Sequence, residues 1–166
     1  MNAQEYIQQL NLLPHPEGGY FKEIYCAEGI ISQANLPMRF SGGCAYSTAI
    51  YYLLQSGDFS SLHRISSDEQ WFHIDGGALT IHSIDPEGNY IKHHIGKNLN
   101  TGELPYAVVP HGNWFGGTVD EANSFALVGC VVAPGFDFDD FELAKREQLI
   151  KLFPQHSVLI EKLTRL

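Results

Sequence analysis

The sequence predicts a mainly β protein, a sandwich or barrel with helices at both ends. Short apolar runs with the alternation of strands follow one another from residue 20 to residue 132. Turn-forming residues separate these runs, and no helix-length pattern interrupts them. Eight or nine short strands without intervening helices are typical of a sandwich or barrel.

Nine segments have the composition and length of strands. Turn-forming residues lie between most of them, and the segment 85–89 between two of them predicts a hairpin turn. The predicted strands are 20–25, 47–54, 60–65, 69–74, 78–84, 90–95, 106–109, 114–118 and 125–132.

Helices are predicted at both ends of the β region. Asn2 is placed to cap a helix over residues 1–13, which must end before the run of prolines and glycines that follows. Helical spacing of apolar residues returns over residues 139–166. No repeat, low-complexity tract or linker divides the chain, so residues 1–166 are expected to form one domain with its barrel at 20–132.

Composition narrows the classes of function. The chain is 44% hydrophobic and 17% charged, which is typical of a folded globular protein. A net charge of −9 argues against nucleic acid and membrane partners, because both select basic patches. Three cysteines (Cys26, Cys44 and Cys130) form no close pair and predict reduced thiols. With no signal-peptide pattern and no apolar run of about 20 residues, we expect a cytoplasmic protein.

The segment 57–76 holds the side chains that most suggest chemistry. A histidine, His63, and a glutamate, Glu69, lie six residues apart between two glycines. In strands, residues two apart share a face, so these two can point with Trp71 and His73 into one cavity. An imidazole and a carboxylate in an aromatic-lined cavity predict either a metal site or an acid/base site.

This spacing resembles the first motif of the cupin superfamily. That motif is a glycine, five residues, His-x-His, three or four residues, a glutamate, six residues and a glycine. Gly57, His63, Glu69 and Gly76 match it, whereas Ile65 stands where the second ligand histidine belongs.

A second cupin motif is matched in part. Pro110 and Gly112 fit its Pro-x-Gly, although Gly102 lies two residues too far upstream of them. Phe115 and Val119 occupy the positions of its histidine and its asparagine.

Other segments resemble a subgroup of small single-domain cupins that are described as a cupin-like domain of unknown function. They are 14–20, 62–64, 68–71, 128–136 and 139–142, so the resemblance covers nearly the whole chain. It implies a double-stranded β-helix, or jelly roll. It implies little about activity, because cupins include isomerases, dioxygenases, sugar epimerases and storage proteins.

The resemblance does not lead us to expect a metal or any other cofactor. A cupin metal usually takes three histidines and one glutamate, and only His63 and Glu69 are present at those positions. Two protein ligands are too few to hold a divalent first-row ion firmly. In the alternative, a metal-dependent cupin enzyme with an altered ligand set, His73 or His111 would restore a third ligand.

Without a metal, His63 and Glu69 are the candidate catalytic residues. Histidine is a natural general base, and we expect Glu69 to fix its tautomer and raise its basicity. The segment 62–64 resembles dTDP-sugar 3,5-epimerases, cupin-fold enzymes that generally need no metal and use a histidine to remove a proton beside a carbonyl. Of the arginines, only Arg39 and Arg64 lie in the β region, which argues against a nucleotide diphosphate and favours a smaller metabolite.

The candidate ligand-binding residues are mostly aromatic. Aromatic walls with a few polar groups are common in small-molecule sites. Another interpretation of Arg64 is an ion pair on the face opposite His63. The predicted set is Trp71, Phe115, Tyr51, Arg64 and His73.

The segment 14–19, which contains His15 and Glu17, allows two interpretations. Its glycines can bring the backbone close to a ligand or a partner chain, or it is a rigid turn between helix and strand.

We therefore expect a cupin that binds a small metabolite, with a metal-independent isomerase or epimerase activity based on a His–Glu pair. The alternatives are the metal-dependent enzyme and a binding or storage-like protein without catalysis. A homodimer is expected because cupins commonly pair through their sheets, and the strand 20–25 could add to the sheet of a neighbouring chain.

Overall fold

The computed structural model describes residues 1–165, and strands make up most of its regular structure. Three short helices flank them: α1 (Ala3–Gln9), α2 (Arg146–Leu152) and α3 (Ser157–Lys162). The strands are β1 (Leu13–Pro14), β2 (Tyr20–Cys26), β3 (Ile30–Ile31), β4 (Cys44–Ala45), β5 (Thr48–Gln55), β6 (His63–Ile65), β7 (Asp68–Gly76), β8 (Leu79–Ile84), β9 (Tyr90–Ile95), β10 (Tyr106–Val109), β11 (Trp114–Val119), β12 (Phe125–Ala133) and β13 (Phe141–Leu143).

Two antiparallel sheets form the body of the protein. The larger has the strand order β1-β2-β5-β12-β7-β10, and the smaller has the order β13-β6-β11-β8-β9. Strands β3 and β4 pair separately. Strands distant in sequence lie side by side, as β7 and β12 do, so the chain winds between layers instead of forming successive hairpins.

The main core lies between the two sheets, and alternation along the strands supplies it. In β5, Tyr52 and Leu54 belong to this core, while Leu53 between them packs on the opposite face under α1. In β8, Leu79 and Ile81 also point into the core. Each sheet therefore has one face buried against the other sheet.

The helices cover the outer faces of the sheets. Helix α1 begins at a capping box, in which Asn2 and Glu5 accept hydrogen bonds from each other's backbone, and its apolar side packs on the larger sheet. On the smaller sheet, Trp114 packs against residues of the C-terminal helices, including Leu149 and Ile160. The predicted helices at both ends are therefore present, with narrower bounds.

The prediction of helix is wrong for one stretch of the C-terminal region. Residues 141–143 form a strand beside β6, with Phe141 opposite Ile65 and Leu143 opposite His63. Phe141 packs against the main core, and the free edge of β6 satisfies the backbone polar groups of this stretch. Helix formation begins only at Arg146.

All nine predicted strands are present, but 60–65 is shorter than expected. Ser60 donates its backbone N–H to Gly117, and Ser61 donates to Glu17, so strand β6 begins only at His63. The small β3–β4 pair was not predicted. Within residues 1–165 the cysteines are free, and no helix has the length and hydropathy to cross a membrane.

Candidate functional site

A cavity of about 90 Å³ lies between the two sheets. Strands of both sheets and the segments before β2 and before β13 contribute to its walls. Aromatic and aliphatic side chains dominate these walls, and several buried polar groups converge in them. The lining residues are His15, Glu17, Phe21, Glu23, Thr48, Ala49, Ile50, Tyr52, His63, Ile65, Glu69, Trp71, Cys130, Val132, Phe136, Phe138 and Phe141.

Two glycines bring the segment before β2 into this cavity. Gly18 and Gly19 have φ values of +113° and +68°, which L side chains rarely adopt. A Cβ at Gly18 would overlap the carbonyl oxygen of Phe59, and a Cβ at Gly19 would lie 2.7 Å from the carbonyl oxygen of Leu53. The backbone therefore passes too close to its neighbours for any other residue.

Hydrogen bonds hold this segment from three sides. The Tyr52 hydroxyl donates to the carbonyl of Gly18 at 2.8 Å, and the backbone N–H of Ser61 donates to the carbonyl of Glu17 at 2.8 Å. The guanidinium of Arg165, near the end of the chain, also donates to the carbonyl of Glu17. The side chain of Glu17 is therefore delivered into the cavity from a fixed backbone.

The carboxylate of Glu17 lies at the centre of a buried polar cluster. Its Oε2 lies 3.3 Å from Nε2 of His63 and 3.4 Å from Nδ1 of His15. Its Oε1 accepts a hydrogen bond from the hydroxyl of Ser60 at 3.0 Å. Glu17 is only 5% exposed, so these contacts replace water around its charge.

The contacts of His63 define where its protons lie. Nδ1 of His63 is 2.8 Å from the carbonyl oxygen of Ser61, and because a carbonyl can only accept, Nδ1 must bear a proton. Nε2 then faces the Glu17 carboxylate, with 3.3 Å between Nε2 and Oε2. At this distance a protonated imidazole would form an ion pair with the carboxylate.

His15 differs from His63 in its protonation. The backbone N–H of Glu17 points at Nδ1 of His15 at 3.3 Å, so that nitrogen acts as an acceptor. Burial lowers the pKa of His15, although the nearby Glu17 acts in the opposite direction. His15 is therefore neutral near pH 7, with its ring perpendicular to Phe21 at 4.5 Å and stacked with Phe138 at 6.2 Å.

Glu69 is a second buried carboxyl group in the same cavity. Burial raises its pKa to about 8, and the negative charge of Glu17 adds to the effect. The thiol of Cys130 is its hydrogen-bonding neighbour, and burial raises the pKa of that thiol well above its usual value. At neutral pH, Glu69 is therefore a protonated acid that can donate a hydrogen bond.

The structure brings together three of the predicted site residues, His63, Glu69 and Trp71, in the cavity wall. The predicted partnership of His63 and Glu69 needs correction. No ion pair within residues 1–165 joins these two residues, and the groups that fix the ring of His63 are Ser61 and Glu17. Glu69 faces the cavity as a separate acid.

Phe115 and Tyr51 lie outside the cavity lining. The Phe115 ring packs 4.1 Å from the His63 ring and 6.4 Å from the Trp71 ring, so it supports both from behind. Tyr51 points to the other face of its sheet, under α1, and the neighbouring Tyr52 lines the cavity instead. A difference of one residue along a strand accounts for this exchange.

Arg64 and the predicted alternative histidines also lie elsewhere. Arg64 forms an ion pair with Glu142 at 2.7 Å and its guanidinium lies over the ring of Trp114, on the face opposite His63. Nε2 of His73 contacts a backbone carbonyl at 2.9 Å, and His111 is half-exposed beside an aspartate. These side chains do not join the cavity lining.

The sequence alone does not decide the roles of His15 and Glu17. The signal that could have identified them is a His-x-Glu followed by two glycines, because paired glycines permit close approach of the backbone to a barrel interior. Glu23, Cys130 and the phenylalanines at 136, 138 and 141 were not singled out as lining residues.

Comparison with known proteins identifies relatives over the full length of the chain. The family model described as Cupin superfamily (DUF985) matches residues 4–144. Protein SO0799 from Shewanella oneidensis is 38% identical, with a TM-score of 0.89, and the match covers 99% of this chain and 98% of that one. A hypothetical protein from Leishmania major is 33% identical, with a TM-score of 0.90 and 100% of both chains covered.

More distant matches agree with this fold. The uncharacterized protein YML079W from Saccharomyces cerevisiae is 29% identical over 161 residues, which is 90% of this chain and 79% of that protein. Oxalate decarboxylase from Bacillus subtilis is 18% identical with a TM-score of 0.55, covering 90% of this chain and 36% of that one. The latter likeness shows the fold alone, and the predicted jelly roll with flanking helices is confirmed.

The residues at the usual cupin metal positions do not fit a metal. Ile65 and Phe115 have no lone pair to donate, and both belong to the main core. Nε2 of His63 already faces Glu17. Within the described part of the chain, no three His, Cys, Asp or Glu side chains are grouped to hold a metal ion.

Proposed function

The chain belongs to the cupin superfamily family DUF985, and on that premise we propose that it binds a small metabolite and moves a proton within it without a metal. Isomerases and epimerases act in this way. The observation that carries the proposal is the contact of 3.3 Å between Glu17 and His63 in the wall of an aromatic cavity. An aromatic cavity with a few convergent polar groups is typical of a small-molecule site.

In this proposal Glu17 is the base. Its carboxylate removes a proton from a carbon next to a carbonyl group, and His63, with Nε2 3.3 Å from that carboxylate, holds it in position. Glu69, protonated near neutral pH, donates a hydrogen bond to the oxygen of the resulting enolate. Return of the proton by Glu17 to the neighbouring carbon completes isomerisation without any redox change. Epimerisation requires instead that a solvent molecule protonates the other face of the same carbon, while Glu17 releases its proton to solvent.

The surroundings suit this chemistry. Trp71 and Ile65 exclude water from the cavity wall, and in a medium of low dielectric constant each hydrogen bond to a developing charge is stronger than in water. Burial lowers the pKa of His15, so His15 is neutral and adds no positive charge beside Glu17.

Ligand binding without catalysis is the second candidate. Both oxygens of Glu17 already have partners, Ser60 on Oε1 and His63 on Oε2, which limits how freely this carboxylate can approach a substrate. A protein of this kind would bind its metabolite by shape and by a hydrogen bond from Glu69.

A thermal-shift screen of small metabolites, followed by proton NMR in heavy water, tests the proposal. We expect hits that stabilise the wild type and lose a carbon-bound hydrogen to solvent deuterium in its presence. The Glu17→Gln variant should still bind such hits. Because it lacks the general base, it should exchange their carbon-bound hydrogen with solvent deuterium at least about a hundredfold more slowly. Glu28→Gln, a change of an exposed surface glutamate, is the matched control and should behave as wild type.

The outcomes separate the two candidates. Hits that bind without any exchange support binding alone and contradict proton transfer. Exchange that persists unchanged in Glu17→Gln excludes Glu17 as the base.

We also propose that the chain forms a homodimer through the edge of β2. Strand β2 pairs with β5 along one side, while β1 covers only Tyr20 and Phe21 on the other. Beyond that point Ile24 and Tyr25 are 45% and 56% exposed, and an open apolar edge favours pairing with a second chain. Light scattering should give twice the chain mass of 18.5 kDa, and a monomer at all concentrations would contradict the proposal.

The cytoplasm is the proposed location. Cys44 and Cys130 are buried thiols without a disulfide partner, and Cys26 is an exposed free thiol. Free thiols of this kind persist in reducing compartments. Fractionation of cells that express the tagged full chain would test this.

A further inference from the structure

We propose that the ligand of the cavity is a small organic cation, a compound with an ammonium or methylated ammonium group. This inference rests on the proposed function, because it assigns a ligand class to the same cavity. It is carried by the charges, rings and unpaired groups that line the cavity.

The charged side chains in the cavity lining are acidic. Glu17, Glu69 and Glu23 line it, and no lysine or arginine of the described residues does. Nε2 of His63 also lines the cavity, but it already faces Glu17 at 3.3 Å. An anionic ligand would therefore find no free lysine or arginine, whereas a cationic ligand would meet carboxyl oxygens and the faces of aromatic rings.

The two arginines near the cavity form their ion pairs outside it. Arg64 pairs with Glu142 on the outer face, and Arg165 pairs with Asp58 while it holds the backbone of Glu17. Neither guanidinium lines the cavity, so neither can serve a phosphate or carboxylate ligand there.

Aromatic rings form most of the remaining wall. Six of them line the cavity, from strands of both sheets and from the segment before β13. The electron-rich faces of such rings attract cations, and the attraction grows as the cation loses its water. These rings are Phe21, Tyr52, Trp71, Phe136, Phe138 and Phe141.

Glu69 supplies an independent indication. It is 8% exposed and faces the cavity, yet no nitrogen or oxygen atom within residues 1–165 hydrogen-bonds its carboxyl group. Only the weak thiol donor Cys130 lies beside it. A buried acid without a strong partner is costly, and a cation in the cavity would supply that partner.

Three probes of similar shape and different charge test the inference. They are tetramethylammonium, the neutral tert-butanol and the anionic trimethylacetate, each titrated while the indole N–H signal of Trp71 is followed by ¹⁵N NMR. We expect tetramethylammonium to bind at least about tenfold more tightly than tert-butanol, as cation–π and carboxylate contacts in a dry site would give. Trimethylacetate should bind most weakly.

Variants assign the preference to the cavity. Glu69→Gln should reduce the preference for the cation to about threefold or less, and Phe138→Ala should weaken cation binding with little effect on folding, because Phe138 is 52% exposed. Glu28→Gln should retain the wild-type preference. Equal or tighter binding of either other probe, or no shift of the Trp71 signal with tetramethylammonium, would overturn the inference.

Different experimental outcomes would contradict the cationic ligand and the proposed proton transfer. A neutral or anionic metabolite that exchanges hydrogen with solvent would overturn the cation and leave proton transfer standing. An ammonium compound that binds at Trp71 without exchange would overturn proton transfer and leave the cation standing.

Discussion

Oε2 of Glu17 lies 3.3 Å from Nε2 of His63, inside the space between the two sheets. Glu17 comes from a tight turn before β2 of the larger sheet, and His63 begins β6 of the smaller one. Both side chains are almost fully buried, at 5% and 3% exposed. The contact therefore joins the two layers at a buried site, where a lone charge would be costly.

Removing either partner of this contact is predicted to destabilise the protein strongly. Glu17→Ala and His63→Ala should each lower the free energy of unfolding by about 3 kcal/mol, because each leaves a buried polar group unpaired. The double variant should lose clearly less than the sum of the two, since no unpaired charge remains. Urea denaturation near pH 7 measures all three, and strictly additive losses would contradict the pairing.

Glu69 is predicted to make the protein less stable as the pH rises. Its folded-state pKa is about 8 against an ordinary value of 4.5, so between these values the folded protein holds a proton that the unfolded chain has lost. Its contribution is complete below pH 4.5 and is lost as the pH rises through 8. With one pKa unit worth about 1.4 kcal/mol, the loss is on the order of 5 kcal/mol.

Urea denaturation over a pH series from about 5 to about 9 measures this loss. Glu69→Gln cannot titrate and should show a flatter dependence of stability on pH, with greater stability than wild type near pH 8. Glu28→Gln, at an exposed position, should keep the wild-type dependence. Identical slopes for wild type and Glu69→Gln would show that Glu69 is already ionised in the folded state.

The turn that delivers Glu17 is predicted to depend on its glycines for space as well as for φ. Gly18 and Gly57 both have positive φ, +113° and +90°, but only a Cβ at Gly18 overlaps a neighbour, the carbonyl of Phe59. Gly57→Ala should therefore cost about 1 kcal/mol for its backbone conformation alone. Gly18→Ala should cost about 3 kcal/mol or more in the same denaturation experiment. Equal losses would mean that the turn can move to make room.

Divalent metals are predicted not to bind at the usual cupin positions. Because Ile65 and Phe115 cannot act as ligands, added zinc, manganese or nickel should leave the melting temperature unchanged. Elemental analysis of the purified protein should find well below one metal ion per chain. A stoichiometric metal that is lost in His63→Ala would instead indicate a rebuilt site.

Much of the fold could be predicted because strand alternation and turn residues are local signals. The same local rules placed His63, Glu69 and Trp71 on one inward face. These rules predicted that Tyr51 points inward, whereas Tyr52 does. Nothing in the local sequence decides which of two adjacent tyrosines points inward.

Other features depend on contacts that the local sequence does not contain. Residues 141–143 have spacing that suits a helix, yet the free edge of β6 and the core around Phe141 make them a strand. Glu17 and His63 likewise come into contact only because a turn with two glycines places the segment before β2 against the smaller sheet. Long-range placement of this kind overrides local propensity.

The most direct test of the account is ¹⁵N NMR of the His63 ring in wild type, Glu17→Gln and Glu69→Gln. We expect a proton on Nδ1 in all three proteins, because the carbonyl of Ser61 accepts from it. We also expect the Nε2 signal to change strongly in Glu17→Gln and little in Glu69→Gln. An Nδ1 without a proton, or an Nε2 that responds to Glu69→Gln and not to Glu17→Gln, would contradict the central claim that Glu17 is the partner of His63.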